Sequence, residues 1–182
     1  MPTHVVLLRG INVGGRHKLP MAQLRADLEQ AGLHVVASYI QSGNLVLDTE
    51  LDEVGVAELV RRAAEARTDF PVPALAIEAT SFRQLLADNP FTPAEPKLEH
   101  VVVLPAPLDE QRRVRLTELA AGDDSPSELV LGDRVVYLHH PQGLMASRLA
   151  GRAMALLEDG TARNLATMVA LERMLDGLPP RG

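Results

Sequence analysis

The stretch HVVLLRGINVGGRHK, residues 4–18, decides how this chain is read. Its first five residues form the short apolar run that a buried strand requires. The run leads into Gly10, Gly14 and Gly15, where the main chain can turn sharply and expose its N–H groups. Arg9, Asn12, Arg16, His17 and Lys18 surround those glycines. A strand that exits into a glycine-rich, cationic turn predicts an anion cradle at that exit.

Past the turn, Pro20 opens a helix with Met21, Leu24, Leu28 and Ala31 at helical spacing and Gly32 placed to end it. Val35 to Ile40 reads as a strand, Ser42-Gly43 as a tight turn, and Asn44 to Leu47 as the returning hairpin partner. A helix over Val54 to Arg67 and a strand over Pro73 to Glu78 follow, and the capping box Ser81-Phe82-Arg83-Gln84 begins a short helix. The order is β-α-β-β-α-β. Closely spaced prolines at 90, 93 and 96 then mark a linker. Beyond it come a strand at His100 to Leu104 and a helix from an Asp109 cap to Ala121. A hairpin pairs Glu128 to Leu131 with Arg134 to His139 across Gly132-Asp133. Two helices, Leu144 to Glu158 and Leu165 to Leu175, then stand where a helix and a strand are due.

In a β-α-β-β unit the right-handed crossover makes the first two strands parallel and lays the third between them. The exit of the first strand and the hairpin turn therefore share a sheet edge. The Arg9 to Lys18 loop and the turn Gln41-Ser42-Gly43-Asn44 are predicted neighbours across some thirty residues of sequence. Pro105-Ala106-Pro107 and Gly132-Asp133 hold the equivalent places in the second half and offer no comparable set of donors.

LRGINVGG (residues 8–15), YIQSGN (39–44) and TARNLAT (161–167) together resemble the bacterial family catalogued as domain of unknown function 1697, over nearly the whole chain. The chain departs from the family at Leu165, where a Trp usually follows the Arg-Asn pair. The resemblance implies a duplicated ferredoxin-like arrangement and no particular activity. Joined to the element order, it gives an α+β fold of tandem ferredoxin-like units, the second lacking its final strand and ending in two helices. Residues 1–88 form the first unit plus a short helix, 89–98 a Pro-rich linker, and 99–182 the second unit with the C-terminal helices.

Composition narrows the function. The chain of 182 residues has no cysteine, which excludes disulfides, thiolate metal sites and a Cys nucleophile. No apolar run approaches the roughly 20 residues of a membrane span, and no signal-peptide pattern opens the chain, so a cytoplasmic protein with no membrane partner is expected. The preference for Arg over Lys, together with abundant Ala, fits a GC-rich bacterial genome. A net charge of −6 argues against a protein whose task is gripping nucleic acid. Residues 1–26 nonetheless hold Arg9, Arg16, Lys18 and Arg25 without an acid, a local +4 against −10 elsewhere.

The expected ligand is an anionic small molecule bearing phosphate or carboxylate, held by Arg9, Gly10, Asn12, Gly14, Gly15 and Lys18 with Gln41, Ser42 and Asn44. Arg163 and Asn164 are expected to reach the same depression from the C-terminal helices. Asn164 also stands where it would cap the last helix. Gly10 to His17 has the glycine spacing of a P-loop, but Arg16 and His17 replace the Lys and Ser/Thr which that loop requires. A purely structural tight turn is the quieter reading of the same residues. No cofactor and no metal are expected, because His139-His140 lacks a convincing set of carboxylate partners and His4, His34 and His100 sit at strand ends. Met145, Met154, Met168 and Met174 read as core filler. No catalytic residue is assigned. The alternatives to a small-molecule protein are a nucleic-acid-binding module, for which aromatic residues at 3% are scarce, and a dimerisation surface.

Overall fold

His4–Leu8 forms β1, and all five residues are buried because the strand lies in the middle of its sheet. The computed structural model describes residues 1–179. The fold is mixed α+β, with two four-stranded antiparallel sheets and six α-helices among the described residues. Met1–Gln84 with the segment from Ala170 onward makes one compact unit and Leu85–Val169 the other.

In the first unit, α1 (Met21–Gln30), β2 (His34–Tyr39), β3 (Asn44–Asp48), α2 (Glu53–Glu65) and β4 (Ala74–Glu78) follow β1. The strand order is β2-β3-β1-β4, so β3 lies between the two parallel strands β1 and β2 as the crossover argument requires. Val6 and Leu8 of β1 and Leu45 and Leu47 of β3 face Met21, Leu24 and Leu28 of α1 and Val56, Val60 and Ala64 of α2. Ile11 and Leu19, from the two ends of the loop after β1, belong to the same core.

The second unit repeats the plan. After α3 (Ala79–Ala87), which spans the boundary, its elements are β5 (Glu99–Val103), α4 (Glu110–Ala121), β6 (Glu128–Leu131), β7 (Val135–His139), α5 (Arg148–Leu156) and β8 (Thr161–Asn164), in the sheet order β6-β7-β5-β8. Asp109 caps α4 by accepting from the Arg112 N–H at 2.7 Å. Val102, Leu104, Val136 and Leu138 pack under Leu116 and Leu119 of α4 and Leu149, Ala150 and Ala153 of α5.

Several expectations require correction. The second sheet does possess its final strand: Thr161–Asn164 pairs antiparallel with β5 from Val103↔Thr161 to His100↔Asn164. Only one helix follows it, α6 (Leu165–Leu175), so the unit does not end in two successive helices. Thr-Ala-Arg-Asn has neither β-branched density nor apolar alternation, and the strand is fixed by pairing on one side only. The span Leu144–Glu158 is a 3-10 turn at Leu144–Ala146, a Ser147 cap accepting from the Ala150 N–H, and then α5. The short helix after β4, α3, starts two residues before the capping box at Ser81, continuing directly from the strand. Met145 is 99% exposed and fills no core, whereas Met168 and Met174 are buried.

Candidate functional site

The loop after β1 is not an open coil but a miniature hairpin pinned at both ends. Val13 bridges Arg16, the Arg16 N–H donates to Val13 O and the Asn12 N–H to His17 O, each at 2.9 Å. Gly14 (φ 56°) and Gly15 (φ 76°) form its two-residue turn, which needs positive φ at both positions. Ile11 and Leu19, at 2% and 1% exposure, insert into the core on either side, so the hairpin stands on two apolar feet.

Asn12 ties this hairpin to the neighbouring turn. Its Nδ2 donates to Leu19 O at 3.0 Å and to Gln41 O at 2.5 Å, and its Oδ1 accepts from the Leu19 N–H at 2.9 Å. The Leu8 N–H reaches Gly43 O at 2.7 Å. The predicted adjacency of the Arg9–Lys18 loop and the Gln41–Asn44 turn is therefore present in the fold. Asn44, fully buried, spends its amide within the turn on Tyr39 O and Ser42 Oγ, both at 3.1 Å. Gly43 (φ 81°) lies against Leu8 and Ile11 so closely that a Cβ would stand 2.7 Å from Leu8 Cβ.

Sequence reasoning placed His17 beside the glycines without giving it a role, and overlooked Phe70 and the backbone of Ile40. His17 donates from Nδ1 to Gly10 O at 2.9 Å and stacks on Phe70 with ring centres 4.3 Å apart. Ile40 holds φ 49°, a conformation that a β-branched side chain strongly disfavours. Periodicity carries no signal for either. Arg16, Lys18, Gly14, Gly15 and Gln41 are exposed around the hairpin, and Arg9 and Ser42 are half-buried at its base. A P-loop is not formed, because α1 begins only at Met21, after the hairpin has closed and Leu19 has returned to the core.

Arg163 and Asn164 lie on β8 of the second unit rather than on a helix. Asn164 Oδ1 accepts from the Thr167 N–H at 2.8 Å and so caps α6. Arg163 Nη1 donates to Ala162 O at 2.9 Å, and burial brings the pKa of its guanidinium down to about 10. Among the described residues no group of three or more His, Asp or Glu is arranged to hold a metal ion, and no helix is long and apolar enough to cross a membrane.

Comparison with known proteins agrees with this architecture. A family model described as a protein of unknown function, DUF1697, matches residues 1–137. The chain belongs to that family. Its fold is similar to that of a conserved bacterial protein, SP0830 from Streptococcus pneumoniae, with a TM-score of 0.72 at 21% identity, covering 96% of this chain and 98% of the other. No curated protein matches the chain.

Proposed function

We propose that the Arg9–Lys18 hairpin and the Gln41–Asn44 turn bind an anionic small molecule, with phosphate or carboxylate as the recognised group. One observation carries this reading. Asn12, His17 and Ile40 are the described non-glycine residues with positive φ, and all three fall in this single cluster. At Ile40, a β-branched residue, this costs about 1–2 kcal/mol, and less at Asn12 and His17, whose residue types enter this region more readily. Ile40 is 52% exposed, so burial of its side chain does little to offset that strain. Strain confined to one basic, solvent-facing loop is what a preorganised binding site requires.

The roles divide by geometry. Arg16 and Lys18 supply charge at the hairpin tip and stem, Arg9 supplies it at the base, and the Gly14-Gly15 turn brings main-chain N–H groups to the surface. Asn12 ties the hairpin to the turn, and Asn44 with Ser42 braces the turn from within, leaving the Gln41 side chain to orient the rest of the ligand. We also read both units as ferredoxin-like, on the support of the matching orders β2-β3-β1-β4 and β6-β7-β5-β8.

Thermal-shift titration with inorganic phosphate, sugar phosphates, nucleotides and dicarboxylates tests the reading. A bound anion at about 100 times its Kd adds about 2.7 kcal/mol of stability, a rise of about 5–10 °C for a chain of this length. Lys18→Ala combined with Arg16→Ala abolishes that rise while leaving the ligand-free Tm within about 1–2 °C, since exposed charges contribute little to stability. A flat response to every anion, or tight RNA binding that weakens steeply with salt, sinks the proposal.

A further inference from the structure

Glu99 is the first residue of β5, fully buried, and neither carboxylate oxygen meets a partner at hydrogen-bonding geometry. Directly opposite it on β7 stands His139, and opposite His139 on β6 stands Glu128. Side chains opposite one another on antiparallel strands share a sheet face at about 4.5–5.5 Å between Cβ atoms. The three therefore form a row running inward from solvent. Glu128 is 64% exposed and His139 21%, and His139 Nδ1 lies 3.5 Å from Glu128 Oε1.

We propose that Glu99 is an internal proton-binding site of the second unit, loaded from solvent through His139, and that its charge state controls how firmly β5 is held. A carboxylate buried this deeply is very costly to ionise, whereas the neutral acid is not, and the nearby Asn89 side chain offsets only part of that cost. Burial dominates and holds the carboxyl above the usual range, outweighing Asn89 and His139, which both favour the ionised form. Tyr137, on the same face of β7, donates its hydroxyl to Leu85 O at 2.7 Å, and burial with the nearby Asp88 and Glu99 carboxyls pushes its pKa up to about 12. Arg163 of β8 shares the face but stands opposite Val101. His139 is suited to the relay because an imidazole can accept a proton at one nitrogen and release one at the other. Phe91 packs against its ring at 5.4 Å and fixes its position.

A carboxyl raised in the fold lends its full stability below the ordinary glutamate range and loses it as pH climbs through the raised value. His100 acts oppositely. Burial and the neighbouring His140, whose Nε2 lies 2.8 Å from His100 Nδ1, bring its pKa down to about 4, so its contribution is lost as pH falls from the ordinary imidazole range toward that value. Comparing the wild type with Glu99→Gln isolates the carboxyl from this background.

The test is a pH titration of the glutamate side-chain carboxyl carbons by NMR on the full chain. One carboxyl retains its proton well above all the others, and Glu99→Gln removes that resonance. The same substitution removes a loss of Tm that the wild type suffers, relative to the variant, as pH rises above the ordinary glutamate range. His139→Gln leaves the Glu99 midpoint near its place but slows proton exchange at the carboxyl by about tenfold or more, read from relaxation dispersion at the midpoint. If every wild-type glutamate titrates in the ordinary carboxylate range, the internal site is refuted without recourse to any variant. Unchanged exchange in His139→Gln refutes the relay.

Discussion

The two units bring the same pair of segments together and make different things of them. In the first, the exit of β1 meets the β2–β3 turn through the Leu8 N–H to Gly43 O bond. In the second, the exit of β5 meets the β6–β7 turn through the Leu104 N–H to Arg134 O bond at 2.9 Å, and the Leu108 N–H reaches Asp133 O at the same distance. The first exit carries Arg9, Arg16 and Lys18 and takes positive φ at Gly10, Asn12, Gly14, Gly15 and His17. The second is Pro105-Ala106-Pro107, whose prolines fix φ and lack an N–H, facing a turn that contains Asp133. None of the described residues at the second pair of segments has positive φ. The juxtaposition is thus a product of the strand order, whereas the strained, cationic surface is a property of residues 9–18 and 40–43. A shared architecture does not by itself assign a function.

The comparison breaks most readily at the glycines of the two hairpin turns. In Gly43→Ala the new Cβ would lie 2.7 Å from Leu8 Cβ and 2.9 Å from Ile11 Cδ1, at φ +81°. Overpacking and left-handed strain together predict a loss of about 2–4 kcal/mol, measured by urea unfolding. In Gly132→Ala the Cβ meets Val135 Cγ1 at 2.4 Å without the left-handed penalty, and displacement of one side chain limits the loss to about 1–2 kcal/mol. Equal losses would mean that the first turn holds no special strain.

Asn12 sharpens the same contrast, since the Pro105-Ala106-Pro107 segment offers no side-chain amide to make its three hydrogen bonds. Asn12→Ala removes the bonds to Leu19 and Gln41 and leaves a Cβ-bearing residue at φ 53°, a predicted loss of about 2–3 kcal/mol. Asn12→Gly removes the same bonds but accepts the backbone conformation, and is predicted to cost about 1 kcal/mol less. The difference between the two variants, read in one denaturant series, measures the strain stored at this position. Identical stabilities would show that Asn12 serves only through its amide.

What the sequence reveals follows from how each element is specified. The Val5–Leu8 run and the Met21, Leu24, Leu28 spacing announce β1 and α1 because burial imposes a period. The meeting of the Arg9 loop with the Gln41 turn is legible as well, because it follows from strand order. β8 is hidden, since Thr161–Asn164 has no apolar pattern and is defined by its hydrogen bonds to β5. The left-handed backbone at Ile40 is equally invisible: residue type argues against it, and surrounding structure imposes it. The Glu128-His139-Glu99 row depends on register between three strands. A strand read from His100 leaves Glu99 just outside it, although that residue begins β5.

The smallest predicted effect separates the units by sign rather than size. Gly14 and Gly151 both face open space, with nothing within 4 Å of the place a Cβ would take. Gly14 holds φ +56° in the hairpin turn, whereas Gly151 lies inside α5 without positive φ. Alanine at residue 14 therefore meets no clash but must adopt the left-handed region, predicting a loss of about 1 kcal/mol. Alanine at residue 151 reduces the entropy of the unfolded chain and suits the helix, predicting a gain of about 0.5–1 kcal/mol. Gly14→Asn, a residue that tolerates this conformation, falls between wild type and Gly14→Ala. Thermal unfolding of the three variants checks the order. A Gly14→Ala protein as stable as the wild type would show that the hairpin relaxes out of its left-handed turn, and with it would go the rigidity on which anion recognition by residues 9–18 depends.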